Sequence, residues 1–271
     1  MRSDRQVPSA GADRALAVAC EAARAGGRVL AEGAGRNRDV RLKDARTSLV
    51  TWADVRSQEA VVDVVRAAYP GHAIVGEEGR IGGPEADHAW FVDPLDGTTN
   101  YTHGLPFYCV SVALRSHGST VCGAVYDPHH DDLFAAAAGQ GATRNGVPLQ
   151  VSDVDRLEGA LVVAQAQSDD AGAIHRFAEL FERLMRVSRG VRHPGAPALA
   201  MCLVAAGSLE AYCERAMDPW DILAGRLIVE EAGGRVTDFQ GQPHRTVEPL
   251  DVLATNGLVH DPLLAAIAGT A

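Results

Sequence analysis

The segment from Trp90 to Asn100, WFVDPLDGTTN, constrains this chain more than any other part of the sequence. Its apolar start predicts a buried strand that ends at Asp93, where Pro94 enforces extended geometry and removes one backbone N–H. Asp96 follows three residues later, so a tight turn after Asp93 would bring both carboxylates to one pocket. Gly97 lets the backbone approach a ligand closely. The segment therefore predicts a pair of carboxylates at the end of a buried strand.

A helix that starts at Asp96–Thr98 would place free N–H groups, which attract anions, next to these carboxylates. Two unit charges about 4 Å apart repel by roughly 4 kcal/mol at an effective dielectric constant near 20. A divalent metal ion removes this conflict, because it neutralises the acids and then attracts a phosphate group. The same residues are also typical of ordinary turns and helix caps, so this segment alone leaves both interpretations open.

Other acidic residues stand at comparable places. Glu77 and Glu78 follow the apolar strand that ends at Gly76, Asp221 lies in the first turn of a helix that Pro219 begins, and Asp54 precedes a predicted helix. Each has an ordinary explanation as a solvated loop residue, a helix-terminus acid or an N-cap. None of them identifies a function by itself.

Taken together, these segments resemble the inositol monophosphatase family of metal-dependent, lithium-sensitive phosphatases. The likeness runs from about residue 15 to residue 268, nearly the whole chain. Such long, separated motifs are specific for the superfamily and much less specific for the substrate. The matching segments are GEE at 76–78, WFVDPLDGTTN at 90–100, AYCE at 211–214, WDILAG at 220–225, EAGG at 231–234, and LVT at 49–51 before Asp54.

The resemblance implies an α/β fold, a layered α-β-α-β-α sandwich of the sugar and inositol phosphatase type, which assembles as a homodimer. We expect one unit over residues 1–271, with subdomains at about 12–150 and 151–271. Periodicity and turn residues agree with this order of elements. They predict helices at 12–31, 56–69, 171–185, 196–206, 219–232 and 261–268, and strands at 73–75, 89–92, 107–114, 121–126, 132–138, 160–164, 209–214 and 251–255.

By motif, the resemblance also implies two or three Mg²⁺ ions in each active site. Glu77, Asp93 and the Leu95 carbonyl correspond to ligands of the first ion. Asp93, Asp96 and Asp221 correspond to ligands of the second, and Glu77 also to a ligand of a weaker third. All of these ligands are oxygen atoms, which suits Mg²⁺ better than Zn²⁺.

The implied reaction is attack of a metal-activated water on the phosphate. Thr98, held by Asp54, corresponds to the group that orients this water, and Glu78 is expected to help position it or accept its proton. The N–H groups of Gly97 and Thr98 are expected to hold the phosphate oxygens. A catalytically idle, metal-binding relative is the alternative of another class. It is disfavoured because a degenerate copy should have lost an acid or Thr98, and all are present.

The substrate implied by the resemblance is a small phosphorylated metabolite, with inositol 1-phosphate as the leading candidate. Glu214, Gly195 and Asp221 are expected to contact it. The chain departs from the family at Gly195-Ala196-Pro197, where inositol-specific members have Gly-x-Ala, because Pro197 has no N–H to offer a ring hydroxyl. Fructose 1,6-bisphosphate, histidinol phosphate, an aminocyclitol phosphate and a nucleotide 3′-phosphate therefore remain as alternatives.

Composition excludes several other classes of protein. The formal net charge of −10 argues against a general binder of nucleic acid. No apolar stretch approaches the ~18 residues that a membrane span needs. The five cysteines are scattered and include no CxxC pair, which is typical of reduced thiols in a cytosolic protein. We expect a cytoplasmic protein without a nucleic-acid or membrane partner.

Overall fold

The computed structural model describes residues 9–35, 41–42, 49–83, 86–243 and 250–268. These residues form both helices and strands. The helices are α1 Ser9–Gly33, α2 Trp52–Ala68, α3 Thr98–His103, α4 Ala171–Val187, α5 Pro197–Ala205, α6 Pro219–Glu231 and α7 His260–Ala268. The strands are β1 Arg41–Leu42, β2 Leu49–Val50, β3 Ala73–Gly76, β4 Gly79–Ile81, β5 His88–Asp96, β6 Cys109–Ser116, β7 Ser119–Asp127, β8 Asp132–Ala137, β9 Ala142–Arg144, β10 Val147–Pro148, β11 Leu161–Ala164, β12 Gly190–Arg192, β13 Ala211–Met217, β14 Arg235–Thr237 and β15 Leu250–Thr255.

Two large sheets organise the described residues. The first has eight strands in the order β10-β9-β8-β7-β6-β5-β3-β4, and only β3 and β5 run parallel within it. The second has five strands in the order β12-β11-β13-β15-β14, with β11 parallel to both β12 and β13. The first sheet ends at Pro148 and the second begins at Leu161, and β1 pairs separately with β2.

Three groups of buried apolar residues divide the molecule into layers. One packs α1 and α2 against the outer face of the first sheet. The second places α5 and α6 between the two sheets, and the third packs α4 and α7 on the outer face of the second sheet. This arrangement is the predicted α-β-α-β-α sandwich.

Helix α2 begins earlier than the sequence predicted, and this moves Asp54 into the helix. Thr51 is the N-cap, and its hydroxyl accepts a hydrogen bond from the Ala53 N–H at 3.0 Å. The Asp54 carboxylate accepts the Thr51 N–H at 2.7 Å, which completes a capping box. The N-cap interpretation of Asp54 was therefore wrong, and the capping group is Thr51.

The end of β5 also differs from the prediction. The strand continues through Pro94 to Asp96 instead of turning sharply after Asp93, and its pairing with β6 shifts register between Asp93 and Asp96. Such an irregularity re-aims side chains without ending the strand. Both aspartates remain on one short piece of buried strand.

His260, at the start of α7, is fully buried between two threonines. The Thr237 hydroxyl donates to the Asp238 carbonyl at 2.7 Å, so it accepts the His260 Nε2–H at 3.0 Å. His260 Nδ1 is then left to accept the Thr255 hydroxyl at 2.9 Å. Burial, with the nearby charge of Arg235, lowers the pKa of His260 to about 4.

Stability is therefore expected to depend on His260 in acid. The pKa in the folded protein lies below the ordinary value of 6.5. The stabilisation is thus complete above pH 6.5 and is lost as the pH falls through the folded-state pKa. As the pH falls from 6.5 to about 4, the free energy of unfolding should decrease by about 3 kcal/mol because of this one residue.

Urea unfolding at pH 7 and pH 4.5 measures this loss. The matched variant is His260→Gln, which keeps polar atoms between the threonines and does not titrate. Because acidic residues titrate in both proteins, the informative quantity is the difference between their pH dependences. An identical pH dependence in the two proteins would contradict the assignment.

Candidate active site

A cavity of about 260 Å³ opens where the end of β5, the start of α5 and the start of α6 meet. Its walls come from both sheets and from the helices between them. Nine of its lining residues have a role in the site predicted from the sequence: Glu77, Asp93, Leu95, Asp96, Gly97, Thr98, Gly195, Glu214 and Asp221. The cavity is also lined by Thr99, Asn100, Gln167, Ala196, Pro197, Arg215, Ala216, Met217, Asp218 and Trp220.

Asp93 and Asp96 lie at the floor of this cavity, and each is only 3% exposed. Burial raises the pKa of Asp93 well above its ordinary range, and the nearby carboxylates of Glu77, Asp96 and Asp221 raise it further. Burial also raises the pKa of Asp96 to about 7, although hydrogen bonds to its ionised form oppose this rise. The charged forms are thus unfavourable here unless a cation compensates them.

Neighbouring backbone and a thiol fix the two aspartates. One oxygen of Asp93 accepts the Leu95 N–H at 2.9 Å. Asp96 Oδ2 accepts the Ala198 N–H in the first turn of α5 at 2.8 Å and the Cys109 thiol at 3.3 Å. The other oxygen of each carboxylate can therefore coordinate a metal ion.

Asp221 and Glu77 approach the same point from other elements. Asp221 lies in the first turn of α6, where it accepts the Asp218 N–H at 3.1 Å. Burial raises the pKa of Asp221 well above its ordinary range, and the charges of Asp96 and Glu77 raise it further. Glu77 directly follows β3, and its N–H donates to the Val92 carbonyl of β5 at 3.2 Å. Carboxylates that are remote in sequence therefore interact across one cavity.

The donor set fits a hard divalent cation. Carboxylates at Glu77, Asp93, Asp96 and Asp221 line the cavity together with Leu95, and oxygen is the donor that Mg²⁺ prefers. Within the described residues, no group of three His, Cys, Asp or Glu side chains is already arranged to hold an ion. To hold a cation, these carboxylates would therefore have to move closer together.

Thr98 and Asp54 form a second arrangement at the edge of the cavity. The Thr98 hydroxyl lies 3.0 Å from Asp54 Oδ1 and 3.0 Å from the Leu95 carbonyl oxygen. Asp54 Oδ2 accepts both the N–H and the hydroxyl of Thr51, at 2.7 and 2.6 Å. Burial raises the pKa of Asp54, while the hydrogen bonds from Thr51 and Thr98 oppose this rise. Asp54 is thus a fixed acceptor for the Thr98 hydroxyl.

Gly97 is required by both conformation and space. Its φ is +94°, in the left-handed region, and it directly precedes α3. A Cβ here would lie 2.9 Å from the Phe107 carbonyl oxygen and 3.1 Å from the Ala196 Cβ. This close approach brings the backbone of residues 97–98 to the cavity wall.

Asn100 connects this motif to the opposite wall. Its side-chain amide donates to the carbonyl oxygens of Phe107 and Pro194, both at 2.8 Å. Gly195 packs against the same amide, where a Cβ would lie 2.9 Å from the Asn100 nitrogen. Sequence analysis quoted Asn100 only as part of the motif and missed this role.

The predicted substrate contacts come from three places: Glu214 lies on β13, Gly195 lies in the loop before α5, and Asp221 lies on α6. Glu214, at 4% exposure, accepts the Tyr212 hydroxyl at 2.7 Å. Burial raises the pKa of Glu214, and the hydrogen bond from Tyr212 partly opposes this. Gly195 donates its N–H to the side-chain oxygen of Gln165 at 3.1 Å, and Pro197 is the first residue of α5.

Glu78, like Asp54, is a predicted catalytic residue that does not line the cavity. Its N–H donates to the Gln58 side chain at 3.0 Å, and its carboxylate is close enough to raise the pKa of Asp54. It therefore lies on the Asp54 side of the site.

Residues 215–218 contribute a part of the wall that sequence analysis missed. The pairing of β13 with β15 shifts register between Glu214 and Met217, and Ala216 has a φ of +57°. Because alanine rarely adopts this conformation, no residue type in the sequence signals the bend. The bend turns Arg215 and Ala216 toward the cavity.

Comparisons with curated proteins give relatives that align with most of this chain. The chain is 41% identical over 256 residues to the phosphatase IMPL1, chloroplastic, of Arabidopsis thaliana, covering 91% of this chain and 68% of that protein. It is 40% identical over 228 residues to the Nus factor SuhB of Pasteurella multocida, with 83% and 85% covered. It is also 36% identical over 261 residues to the inositol-1-monophosphatase of Synechocystis sp., with 94% and 89% covered.

Solved structures agree with these relatives. The inositol monophosphatase of Anabaena sp. PCC 7120 matches with a TM-score of 0.83 and 38% identity, over 96% of this chain and 97% of that one. An IMPase/NADP phosphatase complexed with Mg²⁺ and phosphate matches with a TM-score of 0.83 and 25% identity, over 94% and 95%.

Fold, cavity and relatives together define a phosphoric monoester hydrolase. The model of the inositol monophosphatase family matches residues 12–270. The chain belongs to this family, whose members depend on Mg²⁺.

Proposed function

We propose that this protein hydrolyses a small phosphate monoester with Mg²⁺, with inositol 1-phosphate as the leading substrate. The observation that carries this proposal is the convergence of Asp93, Asp96, Asp221 and Glu77 on one cavity, where burial raises the pKa of Asp93 and the other three carboxylates raise it further. Such crowding of acids is costly to a protein without a compensating cation.

In this proposal, Glu77, Asp93, Asp96, Asp221 and the Leu95 carbonyl hold Mg²⁺. Bound there, the ions would neutralise charge on the phosphate and lower the pKa of water, as divalent ions do in other phosphatases. The N–H groups of residues 97 and 98, at the cavity wall, then hold the phosphate oxygens in place.

Thr98 and Asp54 orient the attacking water in this proposal. When the Leu95 carbonyl is occupied by a cation, the Thr98 proton goes to Asp54 Oδ1, 3.0 Å away. The Thr98 oxygen is then left as an acceptor for a proton of the water. Glu78, on the Asp54 side, would assist by positioning this water or accepting its proton.

The leaving alcohol is assigned to the wall that contains Glu214, Gly195 and Asp221. Glu214 is proposed to accept a hydroxyl of the alcohol, because its carboxylate is buried and reaches the cavity. Fructose 1,6-bisphosphate, histidinol phosphate, an aminocyclitol phosphate and a nucleotide 3′-phosphate are the alternative substrates.

Phosphate release from a substrate panel tests this function. Inositol 1-phosphate and the four alternatives are incubated with the protein in Mg²⁺ and, separately, in EDTA. We expect Mg²⁺-dependent release that is abolished by EDTA. Tight Mg²⁺ binding without phosphate release from any ester would instead favour a non-catalytic, metal-binding relative.

Restoring a backbone donor at position 197 is expected to improve the use of inositol 1-phosphate. Pro197→Ala supplies an N–H in the first turn of α5, at the cavity wall. One additional hydrogen bond is worth about 1 kcal/mol, so KM should fall about fivefold. Steady-state kinetics with inositol 1-phosphate, and with glycerol 2-phosphate as an acyclic comparison, measure this change. An equal change for both esters would contradict a contact with the ring.

The assembly and location of the protein are proposed from the family resemblance. A homodimer with two or three Mg²⁺ ions per site is expected, and sedimentation and metal analysis measure both. A reducing compartment such as the cytoplasm is supported by the five cysteines, all of which are free thiols. None of the described helices combines the length and apolar character needed to cross a membrane.

A further inference from the structure

A second cavity of about 300 Å³ lies beside the active-site cavity. The two cavities have four lining residues in common, namely Gln167, Glu214, Arg215 and Ala216. Glu214, which we assign to the leaving alcohol, therefore stands at the border between them. Any part of the alcohol that extends past Glu214 has a space to enter.

The walls of this second cavity are mainly apolar and partly aromatic. Helix α4 contributes Ala173, Phe177 and Leu180, and Phe239 comes from the segment after β14. Phe239 and Leu180 are buried, while Ala173 and Phe177 are half-buried. Such surfaces bind apolar groups by excluding water, and aromatic walls favour flat rings.

The charged groups around the second cavity also suit a flat ring. The Arg215 guanidinium lies 4.6 Å from the centre of the Phe239 ring and is held there by Asp251 at 2.7 Å. The Asp251 carboxylate offsets the positive charge of Arg215, so the guanidinium does not face the cavity as an unpaired charge. Arg176, exposed on α4, lines the cavity as well and offers a second planar cation.

We infer that the second cavity binds an aromatic or heteroaromatic ring carried by the alcohol of the substrate. Besides inositol 1-phosphate, the protein is then expected to accept phosphate monoesters whose alcohol bears such a ring a few bonds from the phosphate. This inference rests on the proposed function, since it assigns the leaving-group side of the same site. It agrees with the loss of a ring-hydroxyl donor at Pro197, which weakens selection for a cyclitol.

A series of phenylalkyl phosphates with one to four methylene groups tests the inference, with ethyl phosphate as the small reference. These alkyl esters have similar chemical reactivity, so differences in kcat/KM report binding. We expect at least one phenylalkyl ester to exceed ethyl phosphate about tenfold or more in kcat/KM, which is the effect of roughly 1.4 kcal/mol of ring binding. The matching phenylalkyl phosphonate, which is not hydrolysed, should bind more tightly than ethylphosphonate by calorimetry.

A variant that fills the cavity provides the structural control. Ala173→Phe should lower the ratio of kcat/KM for the favoured phenylalkyl ester to that for ethyl phosphate by about tenfold. The matched variant Ala178→Phe adds the same ring on the exposed face of α4 and should leave that ratio unchanged.

The possible failures are distinguishable. Hydrolysis of ethyl phosphate and the phenylalkyl esters with equal kcat/KM, together with equal phosphonate affinities, would overturn the ring site and leave the proposed function intact. Equal effects of the two alanine variants would also overturn the ring site. Absence of Mg²⁺-dependent hydrolysis of every ester, inositol 1-phosphate included, would overturn the proposed function and this inference with it.

Discussion

Asp93→Asn is expected to reduce phosphate release to below roughly 1% of the wild-type rate at saturating Mg²⁺, because this residue is proposed to contact both ions. In EDTA at pH 8, the same variant should melt at a higher temperature than the wild type. The substitution removes one of the buried charges that raise each other's pKa, and the amide oxygen can still accept the Leu95 N–H. Loss of activity would thus accompany a gain in metal-free stability.

Kinetics with and without added Mg²⁺, together with thermal melts in EDTA, measure both effects. Asp170→Asn is the matched control, because Asp170 is an exposed N-cap of α4 and asparagine caps helices equally well. Retention of more than about 5% of activity by Asp93→Asn would refute the bridging role, since a ligand shared by two ions cannot be dispensable. A lower melting temperature in EDTA would contradict the electrostatic explanation.

Thr98→Val is expected to lower kcat by about 100-fold or more, with a much smaller change in KM. Valine keeps the shape of threonine but removes the hydroxyl that lies 3.0 Å from Asp54 Oδ1. The water would then lose its acceptor, while the backbone N–H of residue 98 remains available to the phosphate. Steady-state kinetics under saturating Mg²⁺ separate the two parameters.

Thr98→Ser is the matched control, because it retains the hydroxyl and should keep most of the activity. The Mg²⁺ concentration for half-maximal activity should be similar in both variants, since the Leu95 carbonyl is unchanged. A kcat for Thr98→Val within about fivefold of the wild type would show that the hydroxyl does not orient the water.

Much of the fold was accessible from the sequence because its elements carry strong local signals. The helix at 219–232 was predicted from Asp218-Pro219 and from Gly233-Gly234, and α6 spans Pro219–Glu231. The strands of the first sheet followed from apolar runs between turn residues. The layered sandwich itself came from the family resemblance, since local pattern does not determine how layers stack.

Short strands and irregular backbone were missed. Strands β4, β9 and β12 each have only three residues, which is too short for a reliable alternation of side chains. The extension of β5 past Pro94 was missed as well, because proline is typical of a turn and the irregular pairing with β6 is a tertiary effect.

The candidate site was accessible from the sequence only through separated motifs. Composition does not predict that Asp221 and Asp93 lie close together. The interaction between their carboxylates depends on how α6 packs between the sheets. Asp54 illustrates the remaining error, because an acid near a helix start serves equally well at the N-cap or at N3. Only the hydrogen bonds from Thr51 distinguish these positions.

The placement of Asp96 has a consequence for how the chain acquires its cation. Asp96 belongs to the first sheet, yet its carboxylate accepts the Ala198 N–H at the start of α5. Asn100, which also follows the first sheet's β5, donates to the Pro194 carbonyl just before α5. Neither half by itself presents the complete ligand set. The chain should therefore bind Mg²⁺ only once both parts are folded and packed against each other. Bound Mg²⁺ would then stabilise this packed state.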